Sequence, residues 1–414
     1  VSGDIMEKLR EISREKEIPV PDDIRAELRP YQKRGYSWLM KNFRLGLGSL
    51  IADDMGLGKT LQVITALDEL KREGELKTGK VIAVVPATLL TNWVREIRKF
   101  APNLTAEIYH GSDRKLGDPD KRPDVLLTTY GTLRRDSEQL SKLSWRVMVM
   151  DEAQAVKNTG TGAYAAASSF PADRVIAMTG TPVENRLMEY WSIFSIVQPG
   201  LLGTASDFRE NFSVPIENEH DPRAAEAFRK LVAPFMLRRM KTDKAIISDL
   251  PDCIVQDVMT TLLPEQAYLY QETLTRNLDA ISRAEANSRD KQVKRRALVL
   301  KLITELKQIC NSPSQYNKQW SETPDSAKAE TLFELLDECR ENGRKVLVFT
   351  QYREMGELLQ GWIAKKTGRK PEFLHGGVSV ARRAVMVDDF QNNPDSHILL
   401  VSLKAGGTGL NLTA

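Results

Sequence analysis

Cysteine and histidine are scarce: the 414 residues hold 3 cysteines and 4 histidines. Cys253, Cys310 and Cys339 stand far apart, with neither disulfide nor metal-ligand spacing. That excludes a disulfide framework and a cysteine-based zinc module, and suits free thiols in a reducing compartment. His110, His220, His375 and His397 are as scattered, so no zinc constellation forms from them either. Long apolar runs are missing too; none approaches the ~20 residues of a membrane-spanning helix. The first residues are polar and charged, unlike a secretory signal. There is no low-complexity tract. The formal net charge is only +3 and the pI about 8.6, which permits a polyanionic partner without requiring one. What remains is a globular composition, 41% hydrophobic and 28% charged, in a chain too long for one core. Two or three domains are expected.

Residues 53 to 60 read Asp-Asp-Met-Gly-Leu-Gly-Lys-Thr, directly after the apolar run Ser49-Leu50-Ile51-Ala52. Val63, Ile64, Leu67 and Leu70 then recur at helical spacing. Strand, glycine-rich turn and helix are the context a phosphate-binding loop needs. Gly56 and Gly58 let backbone N–H groups approach phosphates, Lys59 supplies a charge to the β/γ-phosphates, and Thr60 offers a hydroxyl to Mg²⁺. Asp53 stands where the strict loop pattern has glycine. A second apolar run, Arg146-Val147-Met148-Val149-Met150, leads into Asp151-Glu152-Ala153-Gln154. Asp151 is placed to hold the metal and Glu152 to polarise an attacking water. Both halves of an ATP-hydrolysing site are therefore present.

Strand-like runs at 49–52, 81–85, 106–109, 125–129, 146–150 and 175–178 alternate with helical stretches. This implies a mostly parallel sheet with ligands at the carboxyl ends of its strands. From Glu189 to about Asp243 aromatic residues abound without strand alternation, which reads as a helical excursion ending in Leu237-Arg238-Arg239-Met240-Lys241. Residues 264–311 read as helical throughout, and their basic run Lys291-Gln292-Val293-Lys294-Arg295-Arg296 reads as a solvated helix face. A second alternation starts at Ala327, with strands expected at 345–350, 372–374 and 397–402. The fold class is thus α/β, with two parallel-sheet lobes and helical insertions, the second lobe incomplete. The expected divisions are a helical extension at 1–27, an ATP-binding first lobe at 28–188 and its helical insertion at 189–250. A linker with a second helical insertion follows at 251–326, then a second lobe at 327–414 with too few strands to finish its sheet.

With these parts in order, the sequence resembles the Swi/Snf-type ATPases, double-stranded DNA translocases of helicase superfamily two, which implies that both parallel-sheet lobes are RecA-like. Leu28-Arg29-Pro30-Tyr31-Gln32 is similar to the family's adenine-reading segment, which implies Gln32 as the base contact. Asp53–Thr60 matches the family's form of the phosphate loop, which accepts aspartate at its first position. Pro86-Ala87-Thr88 to Trp93 and Thr128-Thr129-Tyr130 resemble motifs that touch the phosphates of one DNA strand. Asp151–Gln154 resembles the metal and water motif. Thr179-Gly180-Thr181-Pro182 resembles the motif coupling hydrolysis to lobe movement. In the second lobe, Val348–Tyr352, Leu374–Gly377 and Ser402–Leu412 resemble further family motifs, and the resemblance implies Thr350, Ser402 and Lys404 at or near DNA phosphates. Any of these threonines could also serve as a helix cap, a common role of hydroxyls.

The resemblance implies a cycle in which the second lobe closes over ATP and Mg²⁺ and relaxes on hydrolysis, moving one lobe along the duplex. Its DNA contacts would be to phosphates and independent of sequence. The protein displaced could be RNA polymerase, a nucleosome or another DNA-bound protein. A monomer without a membrane partner is expected, in the cytoplasm or nucleoid of a prokaryote, or in a nucleus. The family's last motif, a helix with two arginines reaching the γ-phosphate, has no match here. Such arginines contribute ~10³–10⁵ in rate, so this chain is expected to bind ATP and hydrolyse it poorly. A strand-separating helicase, a restriction-system motor and a non-hydrolysing DNA-binding scaffold remain as alternatives.

Overall fold

The computed structural model describes residues 17–111, 114–117, 122–180, 186–243, 255–283, 289–406, 410, 412 and 414. The chain divides into two compact units, Val1–Asp252 and Cys253–Ala414. Residues 1–16 lie outside the described residues, and residues 17–29 contain neither helix nor strand, against the helical extension expected at 1–27. This segment packs as an irregular strap: Ile24 is buried, Ile18 N–H donates to Ser37 Oγ, and Pro19 carbonyl accepts Tyr36 O–H.

The first unit begins with α1 (Pro30–Arg44), β1 (Ser49–Ile51), α2 (Lys59–Arg72), β2 (Lys80–Val84) and α3 (Leu90–Phe100). Next come β3 (Ala106–Ile108), β4 (Val125–Thr128), α4 (Tyr130–Arg135), β5 (Trp145–Met150), α5 (Gly162–Ser168) and β6 (Ala172–Met178). The excursion holds α6 (Met188–Val197) and α7 (Pro222–Val232) and closes with β7 (Met236–Leu237). All seven strands pair in parallel, in the order β3-β4-β2-β5-β6-β1-β7.

Successive side chains of a strand point to opposite faces, and here both faces are apolar because both are covered. Ile82 and Val84 of β2, Met148 and Met150 of β5, and Leu50 of β1 join one core with side chains of α4, α5 and α6. Val81 and Ala83, Val147 and Val149, and Ile51 join the other with α1, α2 and α3. The aromatic residues of the excursion extend the first core: Phe194 and Phe208 are fully buried, and Phe228 packs edge-on against Tyr190 and Phe208. The excursion is helical as expected, except that its end returns to the sheet as β7.

The second unit comprises α8 (Pro264–Arg283), α9 (Arg289–Asn311), α10 (Ala327–Glu341), β8 (Val346–Thr350), α11 (Arg353–Thr367), β9 (Glu372–Leu374), α12 (Val380–Asn392) and β10 (Ile398–Ser402). Its three strands are parallel in the order β8-β10-β9. Ser326 caps α10 by accepting Ala329 N–H, and Gly368 at φ 75° closes α11 after Lys365 and Lys366. Arg295 and Arg296, the described side chains of the basic run, are exposed on α9. Cys310 and Cys339 are unpaired and half-buried.

Candidate active site

The phosphate loop, Pro86–Trp93, Thr128–Tyr130, Asp151–Gln154 and Thr179 all follow the carboxyl ends of strands of the seven-stranded sheet, where parallel sheets bind ligands. After β1 the chain turns through Gly56 (φ 79°) and Gly58 (φ 71°) into α2, a backbone shape open to glycine at no steric cost. Lys59 Nζ donates to the carbonyls of Asp53 (2.8 Å) and Asp54 (3.2 Å), so the ammonium rests in the curl of its own loop. Burial holds its pKa below the usual lysine value, against the pull of Glu152 and the neighbouring aspartates. Thr60 follows in the first turn of α2.

Asp151 directly follows β5, and its own N–H donates to the Val84 carbonyl at 2.9 Å. Its carboxylate is buried: Oδ2 accepts the Trp93 indole N–H at 2.9 Å and Oδ1 accepts Glu152 N–H at 2.9 Å. Burial pushes its pKa up to about 6, with the Trp93 bond opposing and Glu152 adding to the shift. Tyr130, buried, donates its hydroxyl to the Asp151 carbonyl at 2.7 Å, and burial raises the pKa of that phenol well above its usual value. Trp93 and Tyr130 sit inside segments read as DNA motifs, yet their polar atoms hold the acidic motif in place.

Glu152 has φ 50°, a left-handed conformation uncommon outside glycine and typical of positions held by their surroundings for function. Its Oε2 accepts Gln154 Nε2 at 2.7 Å, and Gln154 Oε1 in turn accepts Thr179 Oγ1 at 2.8 Å. Thr179, at the end of β6, also donates its backbone N–H to Ile51 at 3.0 Å. Since β6 lies between β5 and β1, this line runs from the acidic motif to the strand carrying the phosphate loop. Thr181, paired with Thr179 in the coupling expectation, lies outside the described residues.

Gln32 is buried, accepts Arg29 N–H at 2.9 Å and donates to the Leu57 carbonyl at 3.3 Å, joining the start of α1 to the phosphate loop. Asp53, the departure from the strict loop pattern, has a physical reason that sequence reading missed. Its carboxylate is 0% exposed and is held by Arg239, itself 6% exposed, through Nε (3.0 and 3.1 Å), Nη2 and the backbone N–H (2.9 Å). The same guanidinium donates to the Tyr31 carbonyl and to Gln62 Oε1 (2.7 Å) and lies over the Tyr31 ring. The basic stretch after β7 offered a signal, but no spacing rule joins positions 186 residues apart.

The residues expected at DNA divide by geometry. Thr88 follows β2 in a single turn, and its Oγ1 is buried without a hydrogen-bond partner. Thr128 departs from the expectation: it is 0% exposed and spends its hydroxyl on the Tyr109 carbonyl at 3.0 Å, which supports the neighbouring strand end. Thr129 caps α4 by accepting Thr132 N–H. In the second unit Thr350 and Ser402 are register partners at the ends of β8 and β10, and Lys404 is exposed just beyond. Thr350 Oγ1 is shared with the Tyr352 backbone.

Among the described residues no group of three or more histidine, cysteine or carboxylate ligands could hold a metal alone. One buried carboxylate and one hydroxyl fit Mg²⁺, which retains waters and is bound largely through substrate phosphates.

A phosphate loop, an acidic pair and a bridging threonine along one edge of a doubly covered parallel sheet define a RecA-like nucleoside-triphosphate unit. A model of the SNF2-related domain matches residues 31–315, and one of the helicase conserved C-terminal domain matches 327–414. The chain belongs to the Snf2-related family of superfamily-two ATPases. It is similar to YwqA of Bacillus subtilis, named as a candidate ATP-dependent helicase/translocase: 36% identical, covering 100% of this chain and 45% of that protein. It is 31% identical to the TATA-binding protein-associated factor mot1 of Schizosaccharomyces pombe, over 96% of this chain and 24% of that one. The chain therefore spans less than half of either relative. The Sulfolobus solfataricus SWI2/SNF2 ATPase core, solved in complex with dsDNA, is 37% identical, covers 94% of this chain and 80% of that one, and gives a TM-score of 0.55.

Proposed function

We propose that this chain is the motor of an ATP-dependent double-stranded DNA translocase that displaces proteins from DNA without separating the strands. The observation that carries this reading is the hydrogen-bonded line from Glu152 through Gln154 to Thr179, joining the hydrolytic end of the site to the strand behind the phosphate loop. The similarity to an ATPase core solved with dsDNA supports the choice of polymer. Lys59 and the loop N–H groups bind the phosphates, and Gln32 is the proposed adenine contact. Mg²⁺, when bound, would screen the phosphate charge; Thr60 and Asp151 are the residues to hold it. Glu152 orients a water and accepts its proton as the water oxygen bonds to the γ-phosphorus and the bond to ADP breaks. Thr88, Thr129, Thr350, Ser402 and Lys404 are the proposed phosphate contacts on DNA, and none of them reads a base.

The test is ATP turnover by the full-length protein with duplex DNA, single strands or RNA. Duplex should stimulate several-fold. Lys59→Ala should lower nucleotide binding and turnover together, while Glu152→Gln keeps binding and loses at least ~100-fold in turnover. Unchanged turnover in Glu152→Gln would remove the role assigned to it. Relatives named as helicases favour a second reading, strand separation. Stimulation by single strands with release of a paired strand would select it.

A further inference from the structure

We propose that Lys241 is a second phosphate ligand of the ATP site, presented by a strap that Arg239 pins to the phosphate loop. The inference rests on the nucleotide site described above and adds a residue from the far end of the helical excursion.

Past β7 the chain keeps step with the loop in a regular alternation. Ala52 N–H donates to the Leu237 carbonyl (2.7 Å), Asp54 N–H to the Arg239 carbonyl (3.0 Å), and Lys241 N–H to Asp54 Oδ2 (2.8 Å). Residues 237, 239 and 241 thus turn the same edge towards the loop, as alternate residues of an extended strand do. Arg239 fixes this register: its side chain and backbone both bind the buried Asp53 carboxylate. With the strap held at 239, the Lys241 side chain is delivered over Gly56. A Cβ built on Gly56 would lie only 3.2 Å from Lys241 Nζ.

That ammonium has no obvious structural duty. Lys241 is exposed, and no salt bridge to it is found among the described residues. Asp54, the nearest acid along the strap, accepts the Lys241 backbone N–H. Lys59 Nζ meanwhile sits within the loop on the Asp53 and Asp54 carbonyls. Two ammonium groups thus flank one glycine-rich turn whose backbone already favours anions. A polyphosphate tail is the anion that such a glycine-rich turn suits.

The experiment measures the affinity of this chain for ATP, ADP and AMP, by displacement of a fluorescent ATP analogue, in wild type and in Lys241→Ala, Lys241→Arg and Lys59→Ala. Lys241→Ala is expected to weaken ATP and ADP by about tenfold, as loss of one charge-assisted contact to a partly hydrated phosphate does. AMP should be unaffected, Lys241→Arg should stay within about twofold of wild type, and the melting temperature should not move because the side chain is exposed. Arg239→Lys, which disturbs the strap without removing Lys241, should show the same preference for losing ATP and ADP over AMP. Unchanged ATP affinity in Lys241→Ala, while Lys59→Ala weakens it, would overturn the proposal and leave the nucleotide site standing. An equal loss for all three nucleotides would also overturn it, since the contact would not be to the phosphate tail. If Lys59→Ala has no effect either, the nucleotide-site reading itself fails.

Discussion

Asp53 and Arg239 form a buried ion pair in which each charge has further partners: the carboxylate takes a backbone N–H, and the guanidinium serves Gln62 and the Tyr31 carbonyl. Such a pair adds little net stability but resists loss of either member, because the survivor is left buried and uncompensated at a cost of about 3–5 kcal/mol. It therefore fixes the geometry of the loop more than it stabilises the fold. Asp124 shows the other regime, at the sheet's opposite edge. Burial alone would raise its pKa, but hydrogen bonds from Lys71, Thr105 and Lys80 outweigh that and hold it below the usual aspartate value. A depressed folded-state pKa means stabilisation that is complete above about pH 4 and lost as pH falls through the folded value. Asp124→Asn should cost about 1–3 kcal/mol at neutral pH and flatten the acid limb of a stability–pH curve from urea melts. A parallel curve with an unchanged acid limb would show that Asp124 carries no linkage. At this scale the sequence pointed to the side chains proposed for the chemistry, Lys59, Thr60, Asp151 and Glu152. It did not disclose how they are held. Trp93 on Asp151, Tyr130 behind it and Arg239 on Asp53 are contacts across 58, 21 and 186 residues, which local pattern does not encode.

Elements were legible in proportion to their length and apolar character. β1, β2, β4 and β5 are near-continuous apolar runs because both faces are covered, and each was visible as such, as was the glycine turn into α2. β7 was not: two residues carry no periodicity, and pairing with β1 alone makes them a strand. Residues 17–27 were the reverse case, expected within a helical extension, but Ile18 and Ile24 are used as anchors along an irregular strap. Close approach of elements gives a prediction at this scale. Gly48, just before β1, lets the chain pass the end of α6, and a Cβ there would lie 1.8 Å from the Val197 carbonyl oxygen. Backbone cannot swing aside as a side chain can. Gly48→Ala should therefore destabilise the first unit by at least about 1–3 kcal/mol. Chemical denaturation measures it, and a change under ~0.5 kcal/mol would mean that α6 shifts freely.

Across the whole molecule, charge says little: a net +3 over 414 residues gives no strong field to draw DNA. Under the proposed function, binding relies instead on a modest set of phosphate contacts at strand ends. Affinity should then fall steeply with salt and vary little with sequence. Two families of motif, one in each compact unit, made the architecture readable, because each demands a strand followed by a specific turn. The measurement that tests the central claim most directly is ATP-dependent displacement of a third strand from a DNA triplex by the full-length protein, beside release of one strand from an ordinary duplex. Movement along duplex without opening it predicts displacement of the third strand with ATP, none with Glu152→Gln, and no strand release from the duplex. An intact triplex during brisk ATP turnover, or release of the paired strand, would contradict it.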